Sequence, residues 1–179
     1  SSLKDGFLDI SHAIIKGKIK QTIFFSSYIC HPSMANNELS GPVILNAILA
    51  YIKNKYPNNK YTYRFVMHPE TIGSIAYLSK YRKSLISNVI CGINLSCVGD
   101  ERSYSIINSP YKNTLADKAL ESALIGNKDL KTYSFLDRGS DERQYCSPGV
   151  RLPLCTFCRS KFGNYSEYHT SADNLDLVT

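Results

Sequence analysis

Tryptophan is absent from this sequence, and methionine occurs only twice in 179 residues. Histidine is nearly as scarce, with four copies, so any histidine among other polar groups is worth testing for chemistry. No apolar run reaches the roughly 20 residues of a membrane-spanning helix, so no membrane partner is expected. Glycine and proline number 10 and 7 and are dispersed, leaving no linker, repeat or low-complexity tract. One folded unit over residues 1–179 is therefore expected, with enough chain for a full core. Ser1 to Asp5 do not resemble a signal peptide. The chain opens without Met and reads as a fragment of a longer protein. A second C-x-x-C is missing too. Cys155 and Cys158 stand alone, which excludes a zinc ribbon. They lie in a strand-like run, unlike a thioredoxin-type motif, which opens a helix. Cys30, Cys91 and Cys97 sit in apolar runs as small hydrophobes. A reducing, cytoplasmic setting is expected.

The formal net charge is +6, but its carriers are scattered. Lys16, Lys18 and Lys20 alternate, which in an extended segment gives one solvated face. Nothing resembles the single basic stripe of a nucleic-acid binder, so no nucleic-acid partner is expected.

Hydrophobic patterning alternates strands with helices. Thr22–Ile29, Tyr61–Met67 and Val89–Val98 read as buried strands, rich in β-branched and aromatic residues. Tyr104–Ile107 is a short strand, with an antiparallel placement open, and Thr132–Phe135 and Leu152–Phe157 are further strands. Helices are expected over Val43–Ile52, with Ser40 as N-cap, and over Ile72–Leu85 and Thr114–Leu124. The order implies an α/β fold, three-layer α/β/α with a mixed, mostly parallel sheet.

Polar residues recur just after these strands. His31 follows the first, His68 and Glu70 the second, and Asp100 the third; Asp137 and Asp141 follow Thr132–Phe135, and Glu167 and His169 follow the last. Open α/β sheets place their sites outside the carboxyl ends of their strands. Histidines among carboxylates there suit a metal, with zinc the usual occupant. Each residue also has a structural role open to it: His31 as a helix cap, Glu70 and Asp141 as charges at helix N-termini, Asp100 as a turn residue.

Three segments carry a family resemblance. His31-Pro32-Ser33-Met34-Ala35-Asn36-Asn37-Glu38-Leu39-Ser40-Gly41 resembles the His and Ala-Asn-Asp-Asp-x-Ser-Gly stretch of the M28-type two-zinc aminopeptidases. Tyr168-His169-Thr170-Ser171-Ala172-Asp173-Asn174-Leu175-Asp176 resembles that family's C-terminal His motif, and Gly139-Ser140-Asp141-Glu142 its Gly-Ser-Asp-His stretch. Cys30-His31-Pro32-Ser33 and Pro69-Glu70-Thr71-Ile72-Gly73-Ser74 are similar to the bacterial DUF4910 subgroup, whose aminopeptidase-like domains occur in longer proteins near surface-polysaccharide genes. The resemblance implies a zinc-exopeptidase-like fold and a hydrolase acting on a small peptide or amide substrate, with flanking domains in the same protein. It implies His31, Glu38 and His169 as metal ligands and Glu70 as the general base. Asn37, Asp100, Asp141 and Glu167 follow as supporting or alternative ligands.

The chain departs from the family in three places. Asn37 stands where the family bridges its metals with Asp, Thr71 follows Glu70 where the family has a Glu-Glu pair, and Ser96 stands where a further Asp ligand belongs. A neutral amide is a poor bridging ligand, so one zinc ion is expected instead of two. Two other readings stay open: a catalytically degraded binding module in a surface-polysaccharide biosynthesis protein, and a metal-dependent deacylase.

Overall fold

The computed structural model describes residues 4–179. Seven strands form one sheet: β1 (Ser11–Ile15), β2 (Thr22–Tyr28), β3 (Thr62–His68), β4 (Val89–Leu95), β5 (Tyr104–Ile107), β6 (Leu130–Tyr133) and β7 (Leu154–Cys158), in the order β1-β3-β2-β4-β7-β5-β6. The central four, β3, β2, β4 and β7, are parallel. β1 is antiparallel on one edge, while β5 is antiparallel to β7 and parallel to β6 on the other. The expected mixed, mostly parallel sheet is borne out.

The central strands are mostly buried on both faces, which are covered by helices. In β2, Phe24 packs with Val66, Tyr77, Leu78 and Leu85, on the side of helix α2 (Ile72–Asn88). Phe25 points the other way and joins Leu45, Ile52, Phe65 and Leu95, beneath helix α1 (Ser40–Lys55). Helix α3 (Leu115–Ala123) lays Ala116 on Cys91 and Cys155 on the α1 side, and the short α4 (Glu142–Tyr145) buries Tyr145 on the α2 side. These are the three layers.

Several local expectations need correction. β4 stops at Leu95, because Cys97 takes a left-handed backbone (φ 50) and turns the chain out of the sheet. Ahead of α1, Ala35–Leu39 forms a π-helical turn that runs straight into it. Ser40 is consequently inside the helical run and is not an N-cap; its hydroxyl donates to the Asn36 carbonyl and accepts from Val98 N. β1 lies ahead of the lysine alternation, in a segment with no strong pattern. Thr114 caps α3 in a reciprocal box with Asp117. Among the described residues, no helix is long and apolar enough to cross a membrane.

Candidate active site

The four parallel strands deliver side chains to one edge. β2 leads to Cys30 and His31, β3 to His68 and Glu70, β4 to Ser96, and β7 to the tail bearing His169. The His31 and His169 rings lie with centroids 5.0 Å apart. His169 has a left-handed backbone (φ 58) and stacks on Tyr168 at 3.9 Å. Asp173 holds the tail in place. Its carboxylate accepts from Asn36 N (2.6 Å) and Asn37 N (3.1 Å), and its carbonyl accepts from Ala35 N (3.0 Å). The tail thereby satisfies the N–H groups that begin the helical run, as an N-cap from the same segment would.

Glu38 is buried, at 1% exposure, and both of its oxygens are engaged. Oε1 lies 2.5 Å from His31 Nδ1, and Oε2 accepts from Cys30 N at 2.7 Å. With Glu38 ionised, the ring hydrogen sits on Nδ1 and Nε2 is the nitrogen free to ligate. Cys30 Sγ lies 3.4 Å from the same Nδ1. Cys30, His31 and Glu38 each offer one ligand atom, and these atoms lie within 4.8 Å of one another. A cysteine-histidine nucleophile needs its base's two nitrogens for different partners. Here thiol and carboxylate share one, and burial pushes the thiol up to about 11, so Cys30 is not an activated nucleophile.

Glu70 is half-buried. Burial, and then the charge of Asp141, raise its carboxyl to about 7, against the opposing pull of Ser140 and Arg143. It begins a tight turn: Thr71 adopts φ 63 and ψ −68, and Ile72 N donates to Glu70 O at 2.7 Å. This is a γ-turn of the strained hand. Asp141 holds it there, accepting on Oδ1 from Thr71 N and Ser74 Oγ, both at 2.8 Å. Asp141 is itself fully buried and raised to about 6, chiefly by burial. Its Oδ2 has no hydrogen-bond partner among the described residues and lies 3.8 Å from His68 Nδ1.

The other expected positions separate clearly. Asn37 donates to Tyr28 OH (2.6 Å), and that hydroxyl pairs with Ser96 Oγ (2.7 Å), making an uncharged trio that leaves Asn37 Oδ1 buried without a partner among the described residues. Asp100 is bound up in the scaffold. Its oxygens accept from Ser160 N and Oγ, Arg102 N and Asn36 Nδ2, and although burial alone would raise its carboxyl, these bonds hold it below the ordinary value. Glu167 makes a two-pronged pair with Arg102 (2.7 and 2.8 Å), which lowers its carboxyl to about 2. His68 is fully buried between Tyr145 OH (2.7 Å) and the Pro69 carbonyl (3.0 Å), and burial lowers it to about 4, so it serves the core. Asp137 is exposed and caps a 3-10 turn, because β6 runs against the central strands and ends toward their other edge. Asp141 reaches the site only through the segment that returns after that turn.

Residues 1–179 match the family described as Domain of unknown function (DUF4910). The chain belongs to that family. A Clostridium acetobutylicum protein named for polysaccharide biosynthesis and an aminopeptidase-like domain is 39% identical over 176 residues, covering 98% of this chain and 40% of its own. A crystal structure of a Clostridium acetobutylicum protein named as a peptidase superposes with a TM-score of 0.88 at 37% identity, over 95% of this chain and 40% of that one. This DUF4910 chain thus spans about two-fifths of the length of these relatives. A zinc aminopeptidase from Bacillus subtilis shares the fold, with a TM-score of 0.76 at 18% identity over 94% of this chain and 45% of the other. The domain is aminopeptidase-like in fold and sequence family. Cys30 and Asp173 adjoin the candidate site of this DUF4910 chain, and sequence reasoning passed over both. Cys30 adjoins His31, and Asp173 lies within the His169 motif, so position in the motif was the available signal.

Proposed function

We propose that this domain is a one-zinc hydrolase of aminopeptidase type, removing an N-terminal residue, or cleaving a related amide, from a small substrate. The observation carrying this reading is the approach of His31 and His169, from opposite ends of the chain, with Glu38 fixing the His31 tautomer. The donor set fits a single cation. Two imidazoles stand near Glu38, Glu70 and Asp141, carboxylates whose mutual repulsion is felt at Glu70, and the buried Asn37 Oδ1 lacks a donor. His31 Nε2, His169 and Asn37 Oδ1 would hold the ion, leaving Glu70 free beside it. Bound zinc supplies Lewis-acid polarisation of the scissile carbonyl.

Glu70 does the proton work. Its half-buried carboxyl, held beside Asp141, would take a proton from attacking water and return it to the leaving amine. Asp141 fixes the Glu70 turn through Thr71 N, and Glu38 orients His31. The neutral Asn37–Tyr28–Ser96 trio, with Asn37 and Ser96 at positions where the resembling two-zinc enzymes carry carboxylates, favours one ion over two. The same trio gives a binding module without catalysis its specific support. Further domains in the same protein fit the longer relatives, and six unpaired cysteines fit a reducing, cytoplasmic setting.

The test pairs metal analysis with hydrolysis. After zinc loading and desalting, about one zinc per chain is expected, lost in His31→Ala and in His169→Ala. Aminoacyl 4-nitroanilides and N-acyl amino sugars serve as substrates, and preference for the latter makes it a deacylase. Glu70→Gln should keep zinc and lose turnover. Failure to take up zinc sinks the reading, and zinc uptake without turnover on any substrate favours the binding module.

A further inference from the structure

A cavity of about 380 Å3 opens at the amino ends of β2 and β3, the sheet edge opposite His31 and Glu70. Lys16, Lys18, Lys20 and Arg64 line it, with Thr22 and Thr62 between them, and no Asp or Glu is among its lining residues. The lysines are exposed, but Arg64 is only 7% exposed. Its guanidinium carbon lies 4.6 Å from the Tyr81 ring centroid and 5.3 Å from that of Tyr77. Its Nε is buried without a hydrogen-bond partner, and no carboxylate stands at ion-pair distance among the described residues. Ser1, Ser2 and Leu3, outside the described residues, have no carboxylate side chain to offer.

A buried cation is unfavourable unless a counter-charge and acceptors accompany it. The tyrosine faces offset part of that penalty, and the Tyr77 hydroxyl stands within hydrogen-bonding reach of the guanidinium, but Nε finds no acceptor among the described residues. Three lysines around the same opening add repulsion. His12 registers the field: burial first, then the positive charges of Arg64 and Lys80, hold it below its ordinary value. Asn88 Nδ2 donates to the Ser84 carbonyl at 2.9 Å, which covers an oxygen of the last α2 turn beside the cavity.

We propose that this cavity binds a compact polyanion, a phosphate or diphosphate group, as an ion or as the end of a larger molecule. Arg64, held rigid by two tyrosines, presents the planar donor set that matches phosphoryl oxygens. Lys16, Lys18 and Lys20 close on the remaining oxygens from flexible stems. The site shares no residue with the proposed zinc centre, so either can fail alone.

Inorganic pyrophosphate is titrated into metal-free protein at low ionic strength, followed by 15N NMR. Saturable shifts are expected at the Arg64 Nε–H and at the Lys16 to Lys20 amides, with binding weaker for phosphate and weaker still for sulfate. Affinity should fall about tenfold or more between roughly 20 and 200 mM salt, because the contacts are ionic and partly exposed. The combined Lys16→Gln, Lys18→Gln, Lys20→Gln variant changes only exposed side chains and so keeps the fold, and it should bind at least about tenfold more weakly. Arg64→Lys, checked for folding by circular dichroism, should lose the preference for pyrophosphate over phosphate. Unshifted Arg64 and lysine signals, undiminished binding by the triple-lysine variant, or equal weak binding of all three anions would each overturn the assignment.

Discussion

Replacing Asp141 by Asn should stabilise the protein, and by an amount that depends on pH. Asp141 is fully buried, and its carboxyl is carried from 3.8 to about 6, chiefly by burial. A carboxyl raised in the folded state adds stability while protonated, in full below pH 3.8, and loses it as pH rises through about 6. The difference between those values corresponds to about 3 kcal/mol that the ionised group withholds from the fold at pH 8. Asn keeps an oxygen for Thr71 N and Ser74 Oγ, but its amide replaces Oδ2, where the nearby His68 Nδ1 already donates to Pro69 O. An amide without an acceptor there costs about 1 kcal/mol, leaving a net gain of about 2 kcal/mol at pH 8. Urea unfolding of metal-free wild type and Asp141→Asn at pH 4 and pH 8 measures both quantities. The variant's advantage should grow by about 2 kcal/mol between the two, because the unfolded carboxyl is already partly ionised at pH 4, whatever the fixed amide penalty. A pH-independent difference, or a shrinking one, would show that Asp141 is not held ionised against its burial.

Three further outcomes follow from contacts already described. Glu38→Gln weakens the acceptor on His31 Nδ1 and should lower zinc affinity about 10- to 100-fold in competition with a chelator; unchanged affinity would remove Glu38 from the site. Gly73→Ala puts a Cβ 2.6 Å from the His68 Cβ and should destabilise by about 1–3 kcal/mol, although alanine is the better helix former. A neutral or positive change in thermal unfolding would mean that β3 and α2 separate easily. Thr71→Gly relieves a β-branched residue at φ 63 and, after the entropy of glycine, should gain about 1 kcal/mol in denaturant unfolding; a loss would show the turn to be unstrained.

The central strands and the longer helices were legible because burial on both faces writes a strong apolar signal, as in Thr22–Tyr28, and a one-sided stripe does the same for α3. The strand-end rule placed His31 and Glu70 correctly because β2 and β3 are parallel. It failed at Asp137 because strand direction leaves no trace in a four-residue segment such as Leu130–Tyr133. β1 escaped because an exposed edge strand buries only one part of its surface, so Ser11–Ile15 lacks a strong period. The contact between His31 and Glu38 was not legible either. It depends on the π-turn over Ala35–Leu39, and that turn depends on Asp173, 137 residues beyond Asn36. Asp100 and Glu167 were plausible by type, but their tight pairing with Ser160 and Arg102 is tertiary.

That Asp173 clasp also bears on when the site comes into being. The amides of Asn36 and Asn37 are closed by a carboxylate from the turn that follows His169. A nascent or truncated polypeptide lacking that turn has His31 but no partner for it. In the proposed zinc site the order of this segment is therefore a condition of metal binding, and its local opening would separate His169 from His31 while the sheet stays paired. Slow hydrogen exchange at those two amides, retained or lost with zinc, would report on the integrity of the whole C-terminal segment.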